Sequence, residues 1–345
     1  MYRKQSMAQI SIAEKLLAWY AKNGRDLPWR VRGGAHPDPY VVLVSEFMLQ
    51  QTTVKTVIPY FHRFMQRFPT VQALAAASEE EVYHLWQGLG YYTRARSLHQ
   101  TARIIVNDFG GRFPDSKERV LQLKGIGAYT AASFLALAFN QPETVIDGNV
   151  MRIVARLYHL IAPLDEITET IREKAQAMSS RESPADYASA IMDLGAMVCT
   201  PKNPQCLLCP LKEDCLSHTA ADLEQIPVRG KPAKKEKAGA VFLIRNNRGE
   251  LFIRKRTEKG LLSGLYEFPW NESGKTCAGA VDTGLSVTHL FTHIKLTLRI
   301  YTMQSDRAPL PDGFFAASEN LADYPFSTLM KKVLSAMPGK SLKSA

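Results

Sequence analysis

Cysteine is scarce, acidic residues are outnumbered and no long apolar run occurs, and each shortage excludes something. Five cysteines in 345 residues are too few for a disulfide scaffold. No stretch is apolar for long enough to span a bilayer, and no uninterrupted apolar segment near the start precedes a small-residue cleavage site. The expectation is a cytoplasmic protein without membrane association, located at the nucleoid if bacterial. Internal repeats and low-complexity tracts are also missing, which excludes a solenoid. Asp plus Glu number 33 against 43 Lys plus Arg, a net charge of +10, and that deficit favours an anionic partner such as nucleic acid or a phospholipid surface.

With 46% hydrophobic residues, the chain can bury a full core and suits two domains of ordinary size. From Ile12 to about Thr219 it reads as successive amphipathic helices with short Gly- or Pro-marked connections and almost no period-two alternation. Ile12, Leu16, Leu17 and Tyr20 form one stripe, and Val150, Ile153, Val154, Leu157 and Leu160 another, both at the spacing of a buried helix face. Between Leu223 and Lys237, Pro227, Gly230 and Pro232 stand among Arg229, Lys231, Lys234, Lys235 and Lys237. This basic linker either tracks a phosphate backbone or is a solvated hinge. Ala240–Ile244, a turn at Asn246-Asn247-Arg248-Gly249, and Leu251–Ile253 read as a β-hairpin, with a further strand at Thr297–Tyr301. A second, α+β domain therefore starts near Gly239.

Four of the five cysteines crowd into Cys199-x6-Cys206-x2-Cys209-x5-Cys215, thiolate ligands close enough to wrap one centre. Spacing alone leaves a four-cysteine zinc site and an iron–sulfur cluster both open, although zinc ribbons usually pair two CxxC units and one is present here. In Leu121-Gln122-Leu123-Lys124-Gly125-Ile126-Gly127-Ala128-Tyr129, a helix capped by Asp115 with Glu118 meets a Gly-x-Gly turn before a new helix. This predicts a helix-hairpin-helix in which both glycines permit positive φ and backbone N–H groups clamp a phosphate. The ordinary alternative is a plain turn between helices.

Asp147 stands at the mouth of a helix starting near Asn149. It is a helix cap in the plain reading; in the functional one it is an anion facing an oxocarbenium-like sugar, and the two roles are compatible. Glu46 lies inside the apolar helix Val41–Leu49 with no cation within four residues, where desolvation raises a carboxyl's pKa and lets it hold a proton. Alternatively it extends a polar stripe with Gln50 and Thr53. As a functional pair, Glu46 gives a proton to a leaving base and Asp147 stabilises the charge left behind. Gln50-Gln51-Thr52 and Gly88-Leu89-Gly90-Tyr91-Tyr92 offer amide and aromatic surfaces that could fill a gap in a base stack.

Taken together, Leu27-Pro28-Trp29-Arg30, Ser45-Glu46, Met48-Leu49-Gln50-Gln51-Thr52, Gly88-Leu89-Gly90-Tyr91-Tyr92, the hairpin, Ile146-Asp147-Gly148-Asn149 and the four-cysteine loop closely resemble the adenine-specific mismatch glycosylases of the MutY family, within the endonuclease III superfamily. The resemblance implies an all-α helix-hairpin-helix DNA glycosylase domain over residues 1–222 with a four-cysteine iron–sulfur loop at 199–215. A basic linker over 223–238 and a nudix-like domain over 239–345 would follow. It implies a 4Fe-4S cluster on Cys199, Cys206, Cys209 and Cys215, Glu46 as the acid, Asp147 as the stabiliser of the sugar cation, and Asn149 and Tyr129 as their supports. Trp29, Arg30, Leu49, Gln51, Thr52, Tyr91, Gly125 and Gly127 would contact DNA or fill the gap left by a flipped base. The implied substrate is duplex DNA with adenine opposite 8-oxoguanine or guanine, bound by a monomer.

Tyr129 stands where strand-cleaving relatives carry a Lys that forms a Schiff base, and a phenol cannot form an imine. The expectation is a monofunctional glycosylase, with Lys124 the only amine nearby. In the second domain Gly264-Leu265-Tyr266-Glu267-Phe268-Pro269 resembles the family's nudix-like fold, but no Gly-x5-Glu-x7-Arg-Glu box follows, so no pyrophosphohydrolase activity is expected. His289-Leu290-Phe291-Thr292-His293 resembles the loop that senses 8-oxoguanine, with Phe291, Thr292 and His293 as its readers. Competing readings are a glycosylase–lyase acting on oxidised pyrimidines, opposed by Tyr129, and a non-catalytic DNA-binding or redox module, opposed by Glu46 and Asp147.

Overall fold

The computed structural model describes residues 10–31, 36–228, 235–258, 260–291 and 294–337. They fall into two compact units, one from within residues 1–65 and 104–230 and the other from within 66–103 and 231–345. The helices are α1 (Ile12–Asn23), α2 (Pro39–Leu49), α3 (Val54–Arg67), α4 (Val71–Ala76), α5 (Glu79–Trp86), α6 (Tyr92–Phe109), α7 (Lys117–Val120), α8 (Ala128–Phe139), α9 (Gly148–Leu157), α10 (Leu164–Met178), α11 (Pro184–Met197) and α12 (Thr328–Ser335). Among the described residues, no helix is long and apolar enough to cross a membrane.

The first unit is all-helical, as the periodicity predicts. Its central helices, α2 and α8, are apolar on nearly every side and pack against each other, as expected of helices with no solvent face. Asp38 caps α2 by accepting from the Tyr40 amide at 2.8 Å, with Pro39 preset for the first turn. Around them, Leu16 and Tyr20 of α1 share a core with Val150, Ile153, Val154 and Leu157 of α9 and Ile191 and Leu194 of α11. Helices α9 and α11 approach so closely at Gly195 that a Cβ there would lie 2.5 Å from the Asn149 Cβ.

Two local expectations need correction. Helix α7 is capped at Ser116, without a side-chain hydrogen bond, and not at Asp115. Of the hairpin glycines only Gly125 is left-handed, at φ 74°. Gly127 is the extended N-cap of α8, at φ −96°, and nothing lies within 4 Å of where its Cβ would point.

The second unit holds a mixed sheet of β1 (Lys235–Arg245), β2 (Leu251–Lys255), β3 (Tyr266–Glu267), β4 (Trp270–Asn271), β5 (Val281–Leu290), β6 (Ile294–Gln304) and β7 (Gly313–Ala316). The strand order is β3-β2-β1-β6-β5, with β4 paired to β1 and β7 to β2. Strand β1 runs parallel to β6 from Lys235↔Ile294 to Arg245↔Gln304. Its run Ala240–Ile244 is buried on both faces, which is why it lacks alternation. Val241 and Leu243 face a core closed by Leu329 and Val333 of α12, and Phe242 and Ile244 face a second.

Described parts of the stretch read as a linker belong to one unit or the other. Ile226 is buried in the first core, Val228 bridges Pro163, and Lys235 already belongs to β1. Helices α4 and α5 and the start of α6 belong with the sheet. Lys255 pairs with Glu80 at 3.2 Å, Gln87 Nε2 donates to the Phe326 carbonyl at 3.2 Å, and a Cβ at Gly264 would meet Arg96 and Tyr83.

Candidate active site

One cavity of about 1040 Å³ in the first unit is lined by Glu46, Asp147, Tyr129 and Asn149, large enough for a small-molecule ligand. Each of the four comes from an element whose local sequence explains its position. Glu46 is carried on buried α2 and is itself only 6% exposed. Burial pushes its carboxyl up to about 7, the neighbouring Asp147 adds to the rise, and the Arg30 guanidinium partly opposes it. Tyr129 opens α8 and donates to the Met192 sulfur at 3.9 Å. Burial holds its phenol well above the ordinary value, with Glu46 and Asp147 acting in the same direction.

Asp147 is the N-cap of α9, and both expected roles meet in it. Its Oδ1 accepts from the Asn149 and Val150 amides at 2.8 and 2.7 Å, and its Oδ2 accepts from Asn149 Nδ2 at 2.8 Å. The carboxylate is thus locked in one orientation on the cavity wall. Asn149 in turn accepts from Arg152 Nη2 at 2.9 Å, and the same guanidinium donates to the carbonyls of Gly195 at 2.7 Å and Cys199 at 2.8 Å.

Trp29, Arg30, Leu49, Gln51 and Thr52 also line this cavity. Trp29 is buried, its ring edge-on to Phe61 at 5.2 Å, and therefore forms wall. Arg30 is turned toward Asp193, with Nη1 2.8 Å from Oδ2. Gln51 is exposed and left-handed at φ 57°. Tyr91 is exposed and left-handed as well, in the second unit. Phe291 is half-buried against the second-unit core and 4.6 Å from the His289 ring; Thr292 and His293 lie outside the described residues. The cavity lining also includes Lys55, an exposed amine of α3, so Lys124 is not the only amine to consider.

Sequence reasoning missed four residues here. Asp193 is fully buried and accepts from Arg25 Nε at 2.7 Å as well as from Arg30, pinning the segment that carries Trp29. Those two arginines hold its carboxyl below the ordinary range against the opposing effect of burial. A lone carboxylate in the apolar run Ala190–Val198 is the signal that singled out Glu46. Ser133, one turn beyond Tyr129, is buried beside Glu46 and Tyr129, and its hydroxyl opposes the rise of both groups. Arg152 and Arg156 were not singled out, since the main-chain carbonyls that fix them, those of Cys199 and Thr200, lie more than 40 positions away.

Cys199, Cys206, Cys209 and Cys215 line a second, small cavity of about 30 Å³ together with Arg156 and His218. Burial pushes the Cys209 thiol up to about 12, and the other three cysteines add to the rise. Such grouped thiols become thiolates only with a compensating cation. Among the described residues, no three His, Cys, Asp or Glu side chains are grouped as a single metal ion requires; the four cysteines instead share the lining of this small cavity. Buried Arg156 donates to Cys199 Sγ at 3.5 Å and to the carbonyls of Thr200 and Pro201 at 2.7 and 3.1 Å. It places a cation against the negative charge that four thiolates bring. The donor set fits an iron–sulfur group.

Three family models match the chain. Residues 44–177 match the HhH-GPD superfamily of base excision DNA repair proteins, 199–215 the iron–sulfur binding domain of endonuclease III, and 240–336 the NUDIX domain. The adenine DNA glycosylase of Homo sapiens is 33% identical, over 94% of this chain and 73% of its own length. That of Buchnera aphidicola subsp. Acyrthosiphon pisum (strain APS) is 32% identical over 84% and 85%. A solved thermostable thymine-DNA glycosylase superposes with a TM-score of 0.53 at 27% identity, covering 60% of this chain and 94% of that one. With the paired carboxylates in one cavity and the four-cysteine loop bound to the same helix, these likenesses identify the chain as a DNA glycosylase, a hydrolase of N-glycosyl bonds, belonging to the adenine DNA glycosylase family.

Proposed function

We propose that this glycosylase, acting as a cytoplasmic monomer, releases adenine mispaired with 8-oxoguanine or guanine in duplex DNA and stops at the abasic site. The observation that carries the reading is that Glu46 and Asp147 line one cavity, the first raised to about 7 and able to hold a proton. An extruded adenosine in that cavity takes the Glu46 proton on a ring nitrogen. The glycosidic electron pair then leaves with the base, and the Asp147 carboxylate faces the cation at C1′ until water adds there. Acid catalysis of this kind contributes about 10²- to 10⁴-fold. Arg152 and Asn149 keep the carboxylate aimed, and Tyr129 closes the cavity beside both acids.

A phenol at Tyr129 supports the monofunctional reading, and Lys55 makes it worth testing directly. Duplexes carrying adenine opposite 8-oxoguanine or guanine are expected to break only after alkali, faster for 8-oxoguanine. Strand breaks before alkali, or efficient borohydride trapping, would reassign the enzyme as a lyase.

The group held by the four thiols is a 4Fe-4S cluster in this reading. When bound it cross-links the loop 199–215 through iron–sulfur bonds, and base release proceeds without it as a reactant. Purified protein is expected to absorb in the visible and to yield about four iron and four sulfide per chain. One zinc with no sulfide would replace the cluster by a four-cysteine zinc site.

A further inference from the structure

Tyr91 closes the turn Gly88–Tyr91 between α5 and α6 and is 45% exposed. The backbone is left-handed at Gly88, Gly90 and Tyr91, with φ of 110°, 71° and 49°. Glycine enters that region freely, whereas a tyrosine does so only where its surroundings compel it.

Arg94 supplies that compulsion. It lies in the first turn of α6 and folds back beneath the loop, only 7% exposed. Its Nη2 donates to the carbonyls of Leu89 and Gly90 at 3.2 and 3.1 Å, and its backbone N–H donates to the Tyr91 carbonyl at 2.8 Å. Trp86 Nε1 donates to the same Gly90 carbonyl at 3.1 Å. The guanidinium carbon is 5.2 Å from the Tyr91 ring centroid and 5.6 Å from that of Trp86, a flat cation against two π faces.

Neither ordinary role for such an arginine fits. A phosphate contact keeps its fork in solvent, and this fork is buried with a donor given to main-chain carbonyls. Nor does a cation stabilise the first turn of a helix, where the dipole favours negative charge. We propose that Arg94 is the positioning residue of the Tyr91 wedge, holding the turn and the phenol ring in the insertion geometry before DNA arrives. A wedge on a loose loop would have to be ordered at the moment of insertion; this one is already ordered. The inference rests on the reading that duplex DNA is the substrate and that Tyr91 fills the gap beside an extruded nucleotide.

The test uses full-length, cluster-loaded protein and the variants Tyr91→Ala, Arg94→Met, Arg94→Lys and the double Tyr91→Ala/Arg94→Met. Single-turnover adenine release is measured alongside 2-aminopurine emission, which reports unstacking. Arg94→Met is expected to slow release about 10- to 100-fold and to weaken the emission change. Arg94→Lys, which keeps the charge and loses the fork, should fall between. In the Tyr91→Ala background Arg94→Met should add little, and the salt dependence of DNA binding should keep its slope. A full loss in the Tyr91→Ala background, or a slope reduced by about one, overturns the inference in favour of fold support or phosphate contact. Slow Tyr91→Ala with fully active Arg94→Met overturns it alone, whereas fully active Tyr91→Ala overturns the wedge reading as well. If Arg94→Met fails to fold, Arg94→Lys in the same cycle decides.

Discussion

Asp147→Asn is expected to lower the rate of adenine release by roughly 10³-fold while leaving DNA binding nearly intact. How much of Asp147 an amide can replace decides the outcome. Asparagine is as good an N-cap as aspartate, so the bonds from the Asn149 and Val150 amides survive and α9 keeps its start. The negative charge does not survive, and it is what a developing cation at C1′ requires. The new amide nitrogen also meets the Asn149 Nδ2 donor in place of Oδ2. Asn149 cannot easily turn to accommodate it, because Arg152 holds its oxygen. A melting point lowered by the equivalent of about 1 kcal/mol is therefore expected. Near-normal turnover in this variant would remove Asp147 from the chemistry.

Glu46→Gln should be comparably severe, costing about 10²- to 10⁴-fold in base release, and its pH dependence identifies the cause. Buried Glu46 keeps its proton up to about pH 7. Wild-type release should therefore hold level below that pH and fall about tenfold per pH unit above it, a limb absent from the residual activity of Glu46→Gln. Stability should move in a linked way. Folding raises this group from 4.5 to about 7, so between those values the folded chain binds the proton that the unfolded chain has lost. The contribution is fully present below pH 4.5 and is lost as pH rises through about 7. A neutral glutamine escapes that loss, and Glu46→Gln should melt higher than wild type at pH 8, by up to about 3 kcal/mol, but not at pH 4. Identical melting curves at both pH values would mean that Glu46 is not desolvated in solution.

The sequence disclosed what depends on neighbours along the chain. The stripe Val150, Ile153, Val154 and Leu157 marked α9 because a buried face repeats every three to four residues. Glu46 stood out as one carboxylate in an apolar run, and Asp147 as a cap. The cysteine spacing located the second cavity. What stayed hidden depends on distant partners. Asp193 needed Arg25 and Arg30, over 160 positions away, to read as more than a polar interruption. The association of residues 66–103 with the C-terminal sheet has no periodic signature, since α5 carries the pattern of any surface helix. The motif marked Trp29 as a DNA contact; that it is buried edge-on to Phe61 in the cavity lining depends on packing, which the motif does not carry.

One guanidinium, that of Arg152, grips the Cys199 carbonyl and the Asn149 carboxamide together. If Asp147 is the acid proposed here, metal content and its alignment are not independent variables in this chain. Whatever slackens the cysteine loop, loss of iron included, should tug on the tether that runs from the Cys199 carbonyl through Arg152 and Asn149 to Asp147. A poorly loaded preparation should accordingly look like a misaligned enzyme, and not merely like a diluted one.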